Sequence, residues 1–220
     1  MAAGAQPCEP VRPRVLVTGF GPFPGAPVNP TEWLVEALGG QPWSDAELRA
    51  AVLAVEYATV AQNAEKLGES HSPDIAIHFG LSAMAQGFTL ERIARNEIRR
   101  GRADSAGELA ASDRICDGEA VLPSTLPLAH IEAALKAHGL PVSWSDDAGG
   151  YLCNYLFYLS RSPQWPRFAP AMSGFIHVPP LRSEGEGPAN GLCRRDMLQG
   201  AGLIVAACIE VWLRERRPQA

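Results

Sequence analysis

Cys153 stands in Ala148-Gly149-Gly150-Tyr151-Leu152-Cys153-Asn154, after two glycines and at the start of a run that reads as a helix. A thiol in that place is a candidate nucleophile. The unpaired N–H groups and positive dipole end of a helix N-terminus favour thiolate over thiol. The same amides can hold the oxyanion of an acyl-transfer intermediate. His177 ends the strand-like run Gly174-Phe175-Ile176-His177-Val178-Pro179 and could reach a thiolate as its base and acid. Glu91 sits in Phe88-Thr89-Leu90-Glu91-Arg92-Ile93-Ala94, with apolar neighbours on both sides. It reads either as a surface residue of a strand edge or as a buried partner for something cationic. As third member of a Cys-His-acid set it would orient the imidazole and stabilise its charged form. Taken singly, each has a plainer reading, the cysteine as inert core packing and the histidine as bonded to its own loop.

The other histidines fall outside this set. His78 lies inside a strand and reads as a satisfied core residue, while His71, His130 and His138 sit at helix ends or loops and are expected to be solvated. The corner Thr18-Gly19-Phe20-Gly21-Pro22-Phe23-Pro24-Gly25 invites a phosphate-loop reading and fails it. Pro22 and Pro24 remove N–H donors, and no Gly-Lys-Ser/Thr follows. Phe20 and Phe23, exposed on a stiff corner, suit an apolar recognition surface better.

The elements that must position these residues alternate. Strands are expected over Arg14–Gly19, Leu48–Tyr57, Asp74–Gly80, Leu140–Trp144 (a buried run) and Gly174–Pro179. Helices are expected from Asn29-Pro30 to Leu38, over Thr59–Leu67, Pro127–His138, Tyr151–Ser160 and about Cys193–Arg216, with Asn29 as N-cap and Pro30 at the first helical position. The middle, Phe88 to about Ser124, reads as less regular. Such alternation argues for a mainly parallel sheet covered on both faces. Ligands collect at the carboxyl ends of its strands, where Gly19-Phe20, Gly80-Leu81, Cys153 and His177 all fall.

Composition excludes several classes. A net charge of −5 without any Lys/Arg-rich run leaves no footprint for nucleic acid; Arg99, Arg100 and Arg102 read as a solvated loop cluster. The longest apolar stretch, Gly200–Trp212, is too short to span a membrane. Met1–Pro13 lacks the pattern of a secretory signal and is expected to be mobile, with residues 14–220 forming a single catalytic α/β domain. The 5 cysteines are scattered and never spaced C-x-x-C. Reduced thiols in a cytoplasm fit that pattern better than disulfides or a structural zinc, and no metal or cofactor is proposed.

Taken together, the motifs resemble the pyroglutamyl-peptidase I (pyrrolidone-carboxylate peptidase) family of cysteine peptidases. The match runs through Val15-Leu16-Val17-Thr18-Gly19-Phe20-Gly21-Pro22-Phe23 with Val28-Asn29-Pro30, then Glu91-Arg92-Ile93-Ala94 with Asn96, then the Cys153 and His177 segments. The resemblance implies a three-layer α/β/α sandwich with a mainly parallel, mixed central sheet. It implies Cys153 as nucleophile, His177 as general base and acid, and Glu91 as its orienting partner. It places Phe20 and Phe23 against the substrate ring, Tyr151 and Leu152 beside the same pocket and Asn29 near it. The implied substrates are peptides bearing an N-terminal pyroglutamyl group, cleaved through a thioacyl-enzyme, and the implied assembly is a homotetramer. After Gly80, Leu81-Ser82-Ala83-Met84-Ala85 replaces the family's usual Gln-Ala-Gly-Gly-Arg. That departure motivates two alternatives: a cysteine amidohydrolase of the same fold acting on another small amide, and a non-catalytic ligand-binding relative.

Overall fold

The computed structural model describes residues 11–182 and 191–216. The segment expected to be mobile lies outside the described residues apart from 11–13. A six-stranded sheet runs in the order β2-β1-β3-β8-β4-β7, from β1 (Arg14–Phe20), β2 (Glu47–Leu53), β3 (Ile75–Leu81), β4 (Phe88–Glu91), β7 (Val142–Ser145) and β8 (Met172–Val178). A short antiparallel pair, β5 (Ile93–Arg95) and β6 (Val121–Pro123), stands apart from it. The helices are α1 (Pro30–Gly39), α2 (Tyr57–His71), α3 (Leu128–Ala137), α4 (Leu152–Arg161) and α5 (Arg194–Arg216).

The period of two along the central strands divides the core. Val15, Val17, Ile75 and Ile77 face a layer that holds Leu34 and Leu38 of α1, Ile131 and Leu135 of α3 and Ile204 and Trp212 of α5. Leu16, Ala76 and Phe175 face the opposite layer, with Val60 and Ala64 of α2 and Leu156 and Phe157 of α4. Successive side chains of a strand point to opposite faces, so one apolar run fills both halves of an α/β/α sandwich. Asn29 caps α1 by accepting from Thr31 N at 3.2 Å, with Pro30 following, as the sequence predicts.

Four features differ from expectation. The irregular middle contains β4, β5 and β6, each of three or four residues and too short to show a period. β7 is not buried: it forms a sheet edge with Trp144 40% exposed, because only β4 pairs with it. β4 runs antiparallel to β8, and β7 follows β4. The corner before Cys153 therefore does not extend from a strand parallel to β8. Finally, α5 is by length and composition apolar enough to cross a membrane, where the sequence expectation saw only a shorter run. More than half of that span is buried inside the protein; its apolar residues complete the core layer with α1 and α3.

Candidate active site

Cys153 owes its position to the corner that precedes α4. Asp147 accepts from Gly149 N at 3.0 Å, and Gly149 takes φ +80°, a conformation open to glycine at little cost. A Cβ on Gly150 would lie 2.2 Å from Arg99 Cγ, so only glycine lets the chain pass there. Arg99 in turn grips both Asp147 oxygens at 2.9 and 2.8 Å. That ion pair raises the guanidinium further and holds the Asp147 carboxyl down against its own partial burial. α4 then begins at Leu152 with Tyr151 as N-cap and no side-chain cap. The amides of Leu152, Cys153 and Asn154 consequently lack an intrahelical acceptor. Asn154, fully buried, accepts from Arg95 N at 2.9 Å and donates to Arg95 O at 2.8 Å and Glu97 O at 3.0 Å. It pins the first turn of α4 to β5.

His177 and Glu91 meet across the antiparallel β4/β8 pair. Thr89 lies opposite His177 and Glu91 opposite Phe175. Glu91 is thus the diagonal neighbour of His177 on one face, within reach of a long side chain. Its Oε1 accepts from His177 Nδ1 at 2.8 Å, with both side chains buried. Oε2 has no hydrogen-bond partner among the described residues, so the carboxylate is committed to the imidazole. Cys153 lies beside the ring, its Sγ packed against Gly80, the residue in register with His177. Burial pushes the imidazolium down, but its interactions with Cys153 and Glu91 outweigh that and raise the group from 6.5 to about 10. Cys208 differs in setting: in the core, burial alone pushes its thiol up.

A cleft of about 980 Å³ opens over this trio, lined by Phe20, Phe23, Asn29, Tyr151, Leu152, Glu91, Cys153 and His177 among others. Every sequence-predicted site residue therefore reaches one cavity. Several sit differently from expectation. Phe20 is buried at 2% exposure rather than displayed, and Phe23 is half-buried. Asn29 spends its oxygen on Thr31 and its amide on Gly21 O at 3.1 Å, so it shapes the Phe20–Gly21 corner. His71 is buried and donates to Val15 O at 3.2 Å instead of being solvated. His130 and His138 lie at the surface, bonded to Glu210 and Ala134 O. The arginine cluster is not merely solvated either. Arg99 binds Asp147, and the Arg102 guanidinium stacks on Phe23 and Tyr151 with 5.0 and 4.4 Å to the ring centroids. Leu81 to Ala85, where the sequence departs from its family, also line the cleft.

Residues that the sequence reading left without a role are Asn154, Arg102 and Asp104. Asn154 carried a signal, a polar side chain in the first turn of an otherwise apolar helix. Asp104 carried none, because its partners Tyr57 N, Ala106 N and Glu108 N come from two separate segments.

A thiol at a helix start, an imidazole beside it and a buried carboxylate behind, on a three-layer α/β/α frame, describe a hydrolase of the thiol class. Comparison with known proteins narrows this. The family model for pyroglutamyl peptidase matches residues 13–203. The pyrrolidone-carboxylate peptidase of Pyrococcus furiosus is 41% identical over 76% of this chain and 80% of its own length. Pyrrolidone-carboxylate peptidase 1 of Ralstonia nicotianae is 34% identical over 93% of this chain and 94% of its own. The crystal structure of pyrrolidone carboxyl peptidase from Pyrococcus furiosus superposes with a TM-score of 0.82 at 34% identity, covering 90% of this chain and 98% of that one. The chain belongs to the pyroglutamyl peptidase family. It is a pyroglutamyl-peptidase I-like exopeptidase, removing pyroglutamate from peptide N-termini.

Proposed function

We propose that Cys153, His177 and Glu91 carry this reaction and that Phe20, Phe23, Asn29, Tyr151 and Leu152 form the pocket for the pyroglutamyl ring. A pyroglutamyl group has no charged amine, only a small lactam with one N–H and one C=O. It calls for flat apolar walls and a few polar partners, which matches a cleft walled by Phe20, Phe23 and Tyr151. The Cys153 thiolate attacks the pyroglutamyl carbonyl carbon, and the carbonyl electron pair moves onto oxygen, facing the free amides at the start of α4. The oxyanion collapses, the C–N bond breaks, and His177 gives its proton to the departing peptide amine. Water then attacks the thioester, its proton passes to His177, and the thiolate leaves with the free acid released. Glu91 holds Nδ1 so that Nε2 faces the reaction, and stabilises the charged ring.

The observation that carries this reading is the 2.8 Å Glu91–His177 bond buried beside the Cys153 thiol. The thiol chemistry suits a reducing cytoplasm, and a homotetramer is the assembly that the resemblance implies. The test is release of the fluorescent amine from pyroglutamyl-aminomethylcoumarin, with and without iodoacetamide. Wild-type protein turns over and iodoacetamide stops it, while Cys153→Ser loses about 10^4-fold in kcat. A Cys153→Ser enzyme at wild-type rate would remove the thiol from the mechanism. Folded, reduced wild type without turnover would favour another small amide as substrate.

A further inference from the structure

We infer that Arg102 is a specificity residue that reads a carboxylate on the leaving side of the substrate, so that the enzyme prefers an acidic residue after pyroglutamate. The inference rests on the cleft being the pyroglutamyl site proposed above. Three observations carry it.

The first is that Arg102 is held. The residues after it are tied to two other segments, Tyr151 at the start of α4 and the stretch 55–57 that leads into α2. Ala103 O accepts from Tyr151 Oη at 2.9 Å, Asp104 accepts from Tyr57 N at 2.9 Å, and Ser105 N donates to Val55 O at 2.8 Å. Ser105 Oγ also donates to Pro22 O at 3.2 Å, beside Phe23. A loop fixed in this way presents the next side chain in a set direction. The guanidinium lies over both Phe23 and Tyr151, whose rings are 6.1 Å apart, and both line the cleft. Stacking on two aromatic faces restrains the head group while leaving its N–H edges free.

The second is that its charge is unmatched. Of the three arginines lining the cleft, Arg99 pairs with Asp147 and Glu97, and Arg100 reaches Asp113. Arg102 forms no ion pair among the described residues. The carboxylates that line the cleft are already engaged, Glu91 by His177 and Asp147 by Arg99. Asp104, next in the chain but one, gives its oxygens to three backbone amides.

The third is location. Arg102 is exposed and rests on the partly exposed rings of Phe23 and Tyr151, whereas Phe20 and Leu152 are buried, so the guanidinium stands at the mouth, over the outer end of the ring pocket. A ring seated against those walls, with its carbonyl at Cys153, sends the departing chain outward past the mouth. A planar guanidinium there matches a carboxylate in a two-point bond, whether on a side chain or at the terminus of a dipeptide.

The test compares pyroglutamyl-glutamyl and pyroglutamyl-glutaminyl peptides of otherwise identical sequence, amidated at the C-terminus so that only the side chain differs in charge. Wild type is expected to favour the glutamyl peptide about fivefold in kcat/KM, the upper range for an exposed ion pair, with the preference falling as salt rises. Arg102→Gln brings the ratio to about one, Arg102→Glu inverts it, and Arg102→Lys keeps part of it. The ratio is internal to each variant, so a general loss of activity leaves it readable. A wild-type ratio of one or below overturns the inference, as does a fivefold ratio that survives Arg102→Gln. The same pair is titrated into Cys153→Ala protein by calorimetry. If the wild type hydrolyses nothing, the proposed function fails while the affinity ratio still decides on Arg102: about fivefold supports it and equality overturns it. A dipeptide with a free terminus, compared with its amide, separates the side-chain source of the carboxylate from the terminal one.

Discussion

Two buried histidines on neighbouring strands of one sheet have opposite chemistry. His78 of β3 is fully buried among Phe168 and Phe175, with ring centroids at 5.9 and 6.4 Å, and among the described residues its ring bonds only through Nδ1, to Thr18 Oγ1 at 2.7 Å. Burial lowers its pKa from 6.5 to about 3, so it is neutral in the folded protein. His177 of β8 is also buried and also touches Phe175, at 4.9 Å between centroids, yet it is raised to about 10. The same desolvation acts on both. A hydroxyl is no answer to a buried positive charge, but a carboxylate at 2.8 Å is. The difference between a core residue and a candidate catalyst therefore lies in the partner, not in the depth.

The strongest way to break this contrast is to neutralise the partner. Glu91→Gln keeps the shape and removes the charge, and kcat on pyroglutamyl-aminomethylcoumarin is expected to fall about 10^3-fold. The imidazole titration, followed by NMR, moves down from about 10 toward the ordinary range. A variant within tenfold of wild type, with an unmoved titration, would mean that Glu91 is not what holds His177 up.

A smaller effect comes from displacing the thiol while leaving every charged group in place. A Cβ on Gly80, at the end of β3 beside His177 in register, would stand 2.9 Å from Cys153 Sγ and 2.6 Å from Phe175 Cζ. Gly80→Ala is expected to cost about 10^2-fold in kcat, the scale for a misplaced reacting group. Iodoacetamide alkylation should slow with it, and an unfolding curve measures any cost to the core separately. Wild-type kcat in Gly80→Ala would show that the thiol tolerates the shift.

The smallest effect sharpens the contrast through stability. For His78 the folded pKa is about 3 and the ordinary value 6.5, so the unfolded chain binds more protons and stability rises with pH between those limits. The slope reaches about 1.4 kcal/mol per pH unit. His177 has the opposite sign: its contribution is complete below about 6.5 and is lost as pH rises toward about 10. Denaturant unfolding across pH is expected to show an acid limb that flattens in His78→Gln and an alkaline limb that weakens in Glu91→Gln. An acid limb unchanged in His78→Gln would assign that limb to other groups.

Much of this was legible in the sequence because it is local. The Asn29-Pro30 cap, the two glycines before Cys153, the apolar strands of period two and the motif blocks that resemble the family all depend on neighbours a few residues away. Those features determined an α/β/α sandwich, a thiol at a helix start and a histidine at a strand end. What the sequence could not determine was pairing at long range. The direction of β4 and β7 depends on which strand edge each finds, and four residues carry too little pattern to say. Glu91 could equally have faced water; only the antiparallel register with β8 brings its Oε1 to His177 from 86 residues away. His71, among polar neighbours at a helix end, gives no sign of burial in its own segment; only β1, whose Val15 carbonyl it meets, encloses it, as the Thr18 hydroxyl of the same strand meets His78. Arg102 became a cleft residue through three separate loop anchors, none visible in its own segment. Chemical identity is written residue by residue, whereas charge state and aim are set by whichever distant groups share the same few ångströms of low-dielectric space.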